Sequence, residues 1–502
     1  MMLPRALSWT MCLMILAYSD RGAEMMFARG TLLAWFFCVS SWAAMAEGTV
    51  RFDDGAGFAV EGRVLSFDGE FYSIETEAGA LTLAARGLIC TGADCPAAPR
   101  LAYRMSVSDV SLRRLAVSML RDYARQRGHG VSEAYSPDGI LAVALTDRET
   151  GGEIRFEFTR SGGDFQLLRG PSNNARATAL GFDALVPAVA AENTVTGLTL
   201  LALRAAFAGE FADWTGLGGT ADVVTVYRSR GFDSDLADRF ALRPAANAVS
   251  PKGTMTVAAA LSQDPGGLAL LPLSEIGGAV PLVVTGSCGR GALAVGDAIR
   301  TGDYPLSEVI TLSPPAGRAP PLVRDFLAWL IGQEARDAVQ RAGFVDLRVG
   351  AISSGFDGRQ EADPVALSLG GSLSNPLETP SLDGARRLNV AMRFQDGSSQ
   401  PDRLARMQIA RLVKAIQSGQ LEGQSVIFVG FSDADGAANT NKRLSERRAE
   451  AIRNEVVAAL AGGGGVADFK ALGMGEAMPV ACNGVDWGER LNRRVEVWTS
   501  AP

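Results

Sequence analysis

Histidine is almost absent from this chain of 502 residues: there is one, His129, and lysine occurs only four times. A single imidazole excludes histidine-ligated zinc sites and Ser-His-Asp triads, because both require a cluster of side chains. Strong positive charge is also missing. The formal net charge of −7 argues against a nucleic-acid partner, which would require a basic stripe.

Recognisable catalytic groupings are missing as well. The sequence has no nucleophile next to a base, no metal-ligand cluster and no phosphate-cradling GxxxxGK loop. Paired acids such as Asp233 and Asp235 are too common to indicate a glycosidase. We therefore expect no catalytic residues, no metal and no cofactor.

The composition is that of ordinary globular protein, with 47% hydrophobic and 21% charged residues. At roughly 100–200 residues per domain, the length predicts about three domains. Strands alternating with helices predict an α/β multidomain fold.

The first residues have the pattern of an export signal. In residues 25–46, Arg29 precedes an apolar run, and Ala-Met-Ala at 44–46 is typical of a cleavage site. The run is shorter than the roughly 20 residues that a membrane-spanning helix needs, although a short membrane anchor stays an alternative. We expect translation to start at Met25 or Met26, so that within the leader segment 1–46 residues 25–46 form the signal peptide, with cleavage after Ala46.

Export changes the interpretation of the cysteines. Four remain after the leader, and an even number in an oxidising compartment indicates disulfides. Cys90 and Cys95 lie close enough in sequence for a small disulfide loop. Cys288 and Cys482 either pair across domains or stay free.

Four segments follow the leader. Residues 47–99 are predicted to form a small β unit with a hairpin at Asp68-Gly69. Residues 100–350 mix helices with short buried strands and predict an open α/β sheet. Residues 351–385 are rich in Gly, Ser, Pro and Asp and predict a linker, with a reach of roughly 30 Å if flexible. Residues 386–502 predict a β-α-β-α-β sandwich with its helices on one face.

Two helices of the middle region have clear signals. The segment SLRRLAVSMLRDYARQ has apolar residues at helical spacing, with Ser111 as a natural N-cap. The segment PLVRDFLAWLIGQEARDAVQRAG predicts one continuous helix that ends at Gly343.

The last segment carries three motifs in a fixed order: SDADG at 432–436, NKRLSERRA at 441–449 and NRRV at 492–495. Together they resemble the OmpA-like peptidoglycan-binding domain. Two departures from its pattern are Phe431-Ser432 in place of His-Thr, and Glu489 where a basic residue is usual.

This resemblance implies a site for the diaminopimelate side chain of peptidoglycan stem peptides. Asp433 would bind the ammonium group, and Arg448 would bind the carboxylate through its planar guanidinium. Asn441 and Ser432 would supply neutral hydrogen bonds, and Arg493 a second positive charge. The alternative is that Asp433 and Arg448 simply pair with each other.

The middle segment resembles a periplasmic phosphate-type binding protein. The resemblance is carried by Phe207, Gly209 and Trp214 and by the strings YPLS at 304–307 and GFVD at 343–346. It implies a two-lobed type 2 periplasmic-binding-protein fold, with a ligand in the cleft between the lobes.

In that family, hydroxyls, helix N-termini and an arginine hold the anion. The candidate residues here are Ser106, Ser108, Ser111, Ser172, Asn173, Arg176, Ser229, Arg230 and Ser234. A serine before a helix is equally often only a cap. The two acids in the string FDSD at 232–235 would repel phosphate. We therefore expect this two-lobed domain, residues 100–350 and called the clamp below, to bind another ligand, a cation-bearing ligand, or none.

Three functions follow. The first is a periplasmic binding protein of a Gram-negative bacterium, associated with the cell wall and outer membrane, with peptidoglycan, a small anion such as phosphate and an ABC permease as candidate partners. The second is a wall-anchored scaffold whose clamp binds no small ligand. The third, a cell-wall enzyme, has no supporting side-chain constellation.

Overall fold

The structure is a computed structural model, and it describes residues 48–501 except 68–70, 86–87, 97–99, 137, 149–150, 252–254, 318, 353–358, 361–381, 383, 395–397, 399 and 462–464. From Thr49 onward the chain forms one compact unit. The expected leader, the Asp68-Gly69 turn and most of the expected linker lie outside the described residues. Within the described ranges, no helix combines the length and apolar character needed to cross a membrane.

A small antiparallel sheet begins the described chain. Its strands follow the order β4-β3-β2-β1-β5 and are β1 Val50–Asp53, β2 Ala59–Phe67, β3 Phe71–Thr76, β4 Gly79–Ala84 and β5 Ile89–Thr91. The pairing of Phe67 with Tyr72 confirms the predicted hairpin. The core is small and contains Phe52, Tyr72 and Ile74, and a disulfide joins Cys90 to Cys95.

The middle region has two lobes, each with its own hydrophobic core. Its strands are β6 Arg100–Val107, β7 Gly130–Tyr135, β8 Leu141–Thr146, β9 Glu153–Thr159, β10 Phe165–Arg169, β11 Thr178–Val189, β12 Gly197–Thr199, β13 Thr225–Tyr227, β14 Gly267–Pro272, β15 Val280–Pro281, β16 Val283–Thr285, β17 Gly291–Ala292, β18 Ser307–Ser313 and β19 Arg359–Gln360. Its α-helices are α1 Val110–Arg127, α2 Leu200–Ala208, α3 Asp235–Arg239, α4 Val257–Leu261, α5 Gly296–Thr301, α6 Pro321–Leu330 and α7 Gln333–Arg341. Short 3-10 helices span Trp214–Leu217, Arg230–Asp233 and Leu273–Glu275.

Strands β11 and β18 connect the two lobes. They pair antiparallel, and each contributes residues to both cores: Leu180 and Ile310 to the first lobe, Phe182 and Val309 to the second. One sheet of mixed direction, in the order β13-β14-β11-β18-β10-β6-β9-β8-β7, therefore runs through both lobes.

Two local predictions for this region are wrong. Asp109, and not Ser111, caps α1, because its Oδ1 accepts the Leu112 N–H at 2.8 Å; Ser111 lies inside the first turn. The expected single helix ending at Gly343 is two helices, α6 and α7, interrupted at Ile331-Gly332.

The C-terminal domain is a four-stranded sheet with two long helices. Its elements are β20 Arg386–Arg393, α8 Arg403–Gln417, β21 Ser425–Gly430, α9 Ala438–Leu460, β22 Asp468–Gly473, α10 Asp486–Asn492 and β23 Arg494–Ser500. The strand order is β20-β23-β21-β22, and α8 and α9 share a core with the sheet. The expected β-α-β-α-β chain is therefore extended by β22 and the short helix α10.

The C-terminal domain packs directly on the clamp. A disulfide joins Cys288 to Cys482, which are 194 residues apart in sequence. Arg411 donates to the backbone carbonyls of Leu347 and Arg348, both at 3.1 Å. Burial lowers the pKa of Arg411 to about 9. The interface is thus stabilised by hydrogen bonds in addition to the disulfide.

This domain contacts both lobes of the clamp. Trp487 and Leu404 pack against the core of the second lobe. Lys414 donates to the backbone carbonyl of Ile331, and Arg403 donates to the carbonyl of Ser172 at 3.2 Å, both in the first lobe. In this arrangement the two domains are held together by many groups and not by the linker alone.

Candidate functional site

The first candidate site lies where strand β21 ends and helix α9 begins. Gly430 ends the strand under the helix: a Cβ there would lie 2.0 Å from the Ser445 backbone oxygen, so only glycine fits. Ser432 and Asp433 follow directly, and the Ser432 N–H donates to the Gly475 carbonyl at 2.7 Å. The close approach of strand and helix thus brings Asp433 next to the residues of α9.

Asp433 forms an ion pair with Arg493, and not with Arg448 as in the alternative drawn from the sequence. Arg493 Nη1 donates to Asp433 Oδ2 at 2.6 Å, with side-chain exposures of 12% and 13%. The alternative in which Asp433 and Arg448 pair with each other is therefore not the arrangement found. Asn441 Nδ2 donates to the backbone carbonyl of Asp433 at 3.4 Å, which orients the loop.

Arg448 is the most deeply placed charge of this site, with 1% of its surface exposed. Its Nε and Nη2 donate to the Ser398 carbonyl at 3.2 and 3.0 Å, and its guanidinium lies over the Phe394 ring at 5.1 Å. Nη1 is buried without a hydrogen-bond partner among the described residues. One donor of a fixed guanidinium is thus left without an acceptor among the described residues.

The charges around Arg448 influence one another. Burial lowers the pKa of the Arg448 guanidinium, Arg493 lowers it further, and Asp433 acts in the opposite direction. The Ser432 hydroxyl is also buried without a partner within the described chain. The five residues predicted from the motifs, Ser432, Asp433, Asn441, Arg448 and Arg493, therefore lie in one neighbourhood.

The second candidate site is the cleft between the lobes, with a volume of about 1350 Å³. Of the residues expected to bind a solute, Ser108, Arg230 and Ser234 line it. Ser234 also caps α3 by accepting the Ala237 N–H at 3.1 Å, as the capping alternative predicts. Asp233 and Asp235, the two acids expected to repel phosphate, line the cleft too.

Several of the other expected solute-binding residues are already hydrogen-bonded within the protein. Ser111 donates to Asp109 at 2.7 Å, and Ser172 bonds the Ser313 hydroxyl at 2.8 Å. Arg176 donates to the carbonyls of Pro315 and Gly317. Ser106, Ser111, Ser172, Asn173, Arg176 and Ser229 are not among the residues that line the cleft.

Arg169, a charged residue that lines the cleft, is not among the residues predicted from the sequence. It donates to Asp109 at 2.8 Å, to Asp183 at 2.9 Å and to Glu308 at 2.8 Å, while Nη2 donates to the Ser111 hydroxyl at 2.8 Å. Three carboxylates therefore surround one guanidinium. Burial raises the pKa of Glu308, whereas the Arg169 charge helps to lower the pKa of Asp109 despite its burial.

The C-terminal domain contributes to the same cleft. Asp402, Arg403 and Leu404, at the start of α8, are part of its lining. Asp402 caps α8 by accepting the Ala405 N–H at 2.7 Å, and burial raises the pKa of its carboxyl group. The wall of the cleft is thus made by both domains.

Comparison with known proteins confirms the C-terminal resemblance. Residues 393–493 match the OmpA family. Over 82 residues the chain is 39% identical to outer membrane porin F of Pseudomonas aeruginosa, which is 16% of this chain and 23% of that protein. The chain therefore spans about a quarter of the length of this relative.

Solved structures show similarity to both parts of the chain. An ABC-type phosphate transport receptor from Vibrio cholerae matches with 16% identity and a TM-score of 0.36, covering 48% of this chain and 98% of that one. The peptidoglycan-associated lipoprotein from Burkholderia pseudomallei matches with 21% identity and a TM-score of 0.20, covering 22% and 90%.

Proposed function

We propose that this chain is an exported binding protein of the Gram-negative cell envelope that attaches non-covalently to peptidoglycan through its C-terminal domain. The match of residues 393–493 to the OmpA family supports this role. Two disulfides among the described residues suit an oxidising compartment such as the periplasm. We assign the protein no catalytic role, and place it at the cell wall and outer membrane.

The observation that carries the proposal is the unused Nη1 of the buried Arg448. A desolvated guanidinium with a free donor is suited to a carboxylate, since charge-assisted hydrogen bonds are stronger than neutral ones. Asp433, already oriented by Arg493, offers a carboxylate for an ammonium group. A head group that carries both charges, such as that of diaminopimelate in a stem peptide, matches this pair.

Co-sedimentation with purified peptidoglycan tests the assignment. We expect the wild type to sediment and Arg448→Ala or Asp433→Ala to stay in solution. Losing a desolvated charge partner typically costs about 2–5 kcal/mol, or roughly thirty- to several-thousand-fold in affinity. Arg443→Ala is the matched control, because it removes an exposed arginine from the same helix. Sedimentation of both site variants at the wild-type level would reject the site.

For the clamp we propose a scaffold role, the second candidate function. Its support is Arg169, whose guanidinium is already bonded to three carboxylates and is not free for an anion. A receptor for a small anion such as phosphate, working with an ABC permease, is the competing proposal. Titration calorimetry with inorganic phosphate separates them: we expect no saturable heat, and a saturable heat at micromolar phosphate would favour the receptor.

A further inference from the structure

A cluster of buried charges crosses the interface between the clamp and the C-terminal domain. Asp303 of the clamp accepts hydrogen bonds from Arg387 at 2.7 Å and Arg393 at 2.9 Å, both on β20. The side chains of Asp303 and Arg387 are 3% and 6% exposed. Removing either partner of an ion pair so little exposed to solvent should be strongly destabilising, because the remaining buried charge has an unfavourable free energy without its partner.

The cluster continues into the sheet of the C-terminal domain. Arg387 Nε lies 3.1 Å from Glu496 Oε2, and Glu496 Oε1 accepts from Arg494 Nε at 2.7 Å. Glu496 and Arg494 are fully buried. The charge cluster, defined as Asp303, Arg387, Arg393, Arg494 and Glu496, thus contains three guanidinium groups and two carboxylates.

Arg494, the member of the charge cluster farthest along from Asp303, contacts the segment that carries the proposed peptidoglycan site. The Arg494 guanidinium lies 4.0 Å from the centre of the Phe431 ring, and the Phe431 N–H donates to the Arg494 carbonyl at 2.8 Å. Phe431 precedes Ser432 and Asp433 in the chain, and Arg493, the partner of Asp433, precedes Arg494. Arg494 is therefore linked to both members of the Asp433–Arg493 pair, through its contacts with Phe431 and through its peptide bond to Arg493.

We propose that Asp303 of the clamp is a positioning residue for the peptidoglycan site of the C-terminal domain. It neutralises Arg387, which leaves Glu496 available to hold Arg494 under Phe431. Without Asp303 the cluster has three guanidinium groups and one carboxylate, and Arg387 then competes with Arg494 for Glu496. This inference rests on the proposed function, and it makes wall binding dependent on the clamp.

The test compares full-length variants in two measurements. The first is the dissociation constant for a soluble diaminopimelate-containing stem peptide. The second is the hydrogen-exchange rate of the Phe431 and Ser432 amides. For Asp303→Asn we expect about tenfold weaker binding, within the range seen for residues that act through a network, and faster exchange at both amides. Asp303→Glu keeps the charge and should restore most of the affinity.

Asp297→Asn is the matched control. Asp297 also lies on the clamp side of the interface, where it accepts from Asn389 at 3.0 Å, but it is not part of the charge cluster. We expect wild-type binding and exchange from this variant. Equal weakening by Asp297→Asn and Asp303→Asn would show a general interface effect and overturn the proposal.

A double variant covers the case in which Asp303→Asn does not fold. Asp303→Asn with Arg393→Gln removes one charge of each sign, so the net charge of the cluster is unchanged while Arg387 still lacks Asp303. We expect it to fold and to bind weakly, and wild-type affinity in this variant would overturn the proposal. A wild type that does not bind the peptide overturns the proposed function, while the exchange rates still report whether Asp303 orders Phe431 and Ser432.

Discussion

Replacing both members of the Cys288–Cys482 disulfide by serine should destabilise the protein more than the same change at Cys90–Cys95. A disulfide restricts the unfolded chain, and the restriction grows with the length of the closed loop. The two loops have sequence separations of 194 and 5. Chain-entropy estimates for these lengths are about 5 and about 2 kcal/mol, respectively.

Guanidinium unfolding of the two double-serine variants, followed by circular dichroism without reductant, measures the difference. We expect the free energy of unfolding to fall by about 3 kcal/mol more for Cys288→Ser/Cys482→Ser than for Cys90→Ser/Cys95→Ser. Wild type treated with a reductant should lose about as much as both variants together. An equal or larger loss from the short loop would refute the reasoning.

Three further predictions concern buried groups. Burial raises the pKa of Glu308 above its usual 4.5, so ionisation of its carboxyl group opposes folding as the pH rises. Glu308→Gln cannot ionise, and its Tm should therefore increase relative to that of the wild type between about pH 4 and about pH 7. A difference in Tm that stays constant over this range would contradict the prediction. Gly430→Ala places a Cβ against the Ser445 carbonyl and should cost roughly 1–3 kcal/mol or more in chemical unfolding, so wild-type stability would count against the packing described. Tyr304→Phe removes a hydroxyl that donates to a buried carbonyl at 2.9 Å and should cost roughly 1–3 kcal/mol by the same assay; no loss would mean that the carbonyl finds another donor.

Local sequence signals predicted much of the secondary structure. The β-rich runs on either side of Asp68-Gly69 pair as a hairpin, and the two cysteines in the first domain form the expected loop. Helical periodicity found α6 and α7 but not the break between them, because apolar spacing continues across Ile331-Gly332. The same signal pointed to Ser111 and not to Asp109 as the cap of α1, which is wrong, since both residue types cap helices well.

The two candidate sites were not equally predictable. Ser432, Asp433 and Asn441 lie within ten residues of sequence, so a sequence motif could predict that they share one site. The cleft is different, because Arg169 meets Asp109, Asp183 and Glu308 only through the pairing of distant strands. No spacing in the sequence indicates such a group, so the sequence predicts isolated serines and not Arg169.

The covalent bond between Cys288 and Cys482 also determines how mechanical force would pass through the molecule. Cys482 lies eleven residues before Arg493 in the chain, and Cys288 belongs to the second lobe of the clamp. A pull exerted on the C-terminal domain through the proposed attachment to peptidoglycan would reach the clamp through a sulfur–sulfur bond. The two domains would therefore move as one body under tension, and shear at their shared surface would be resisted by a covalent link.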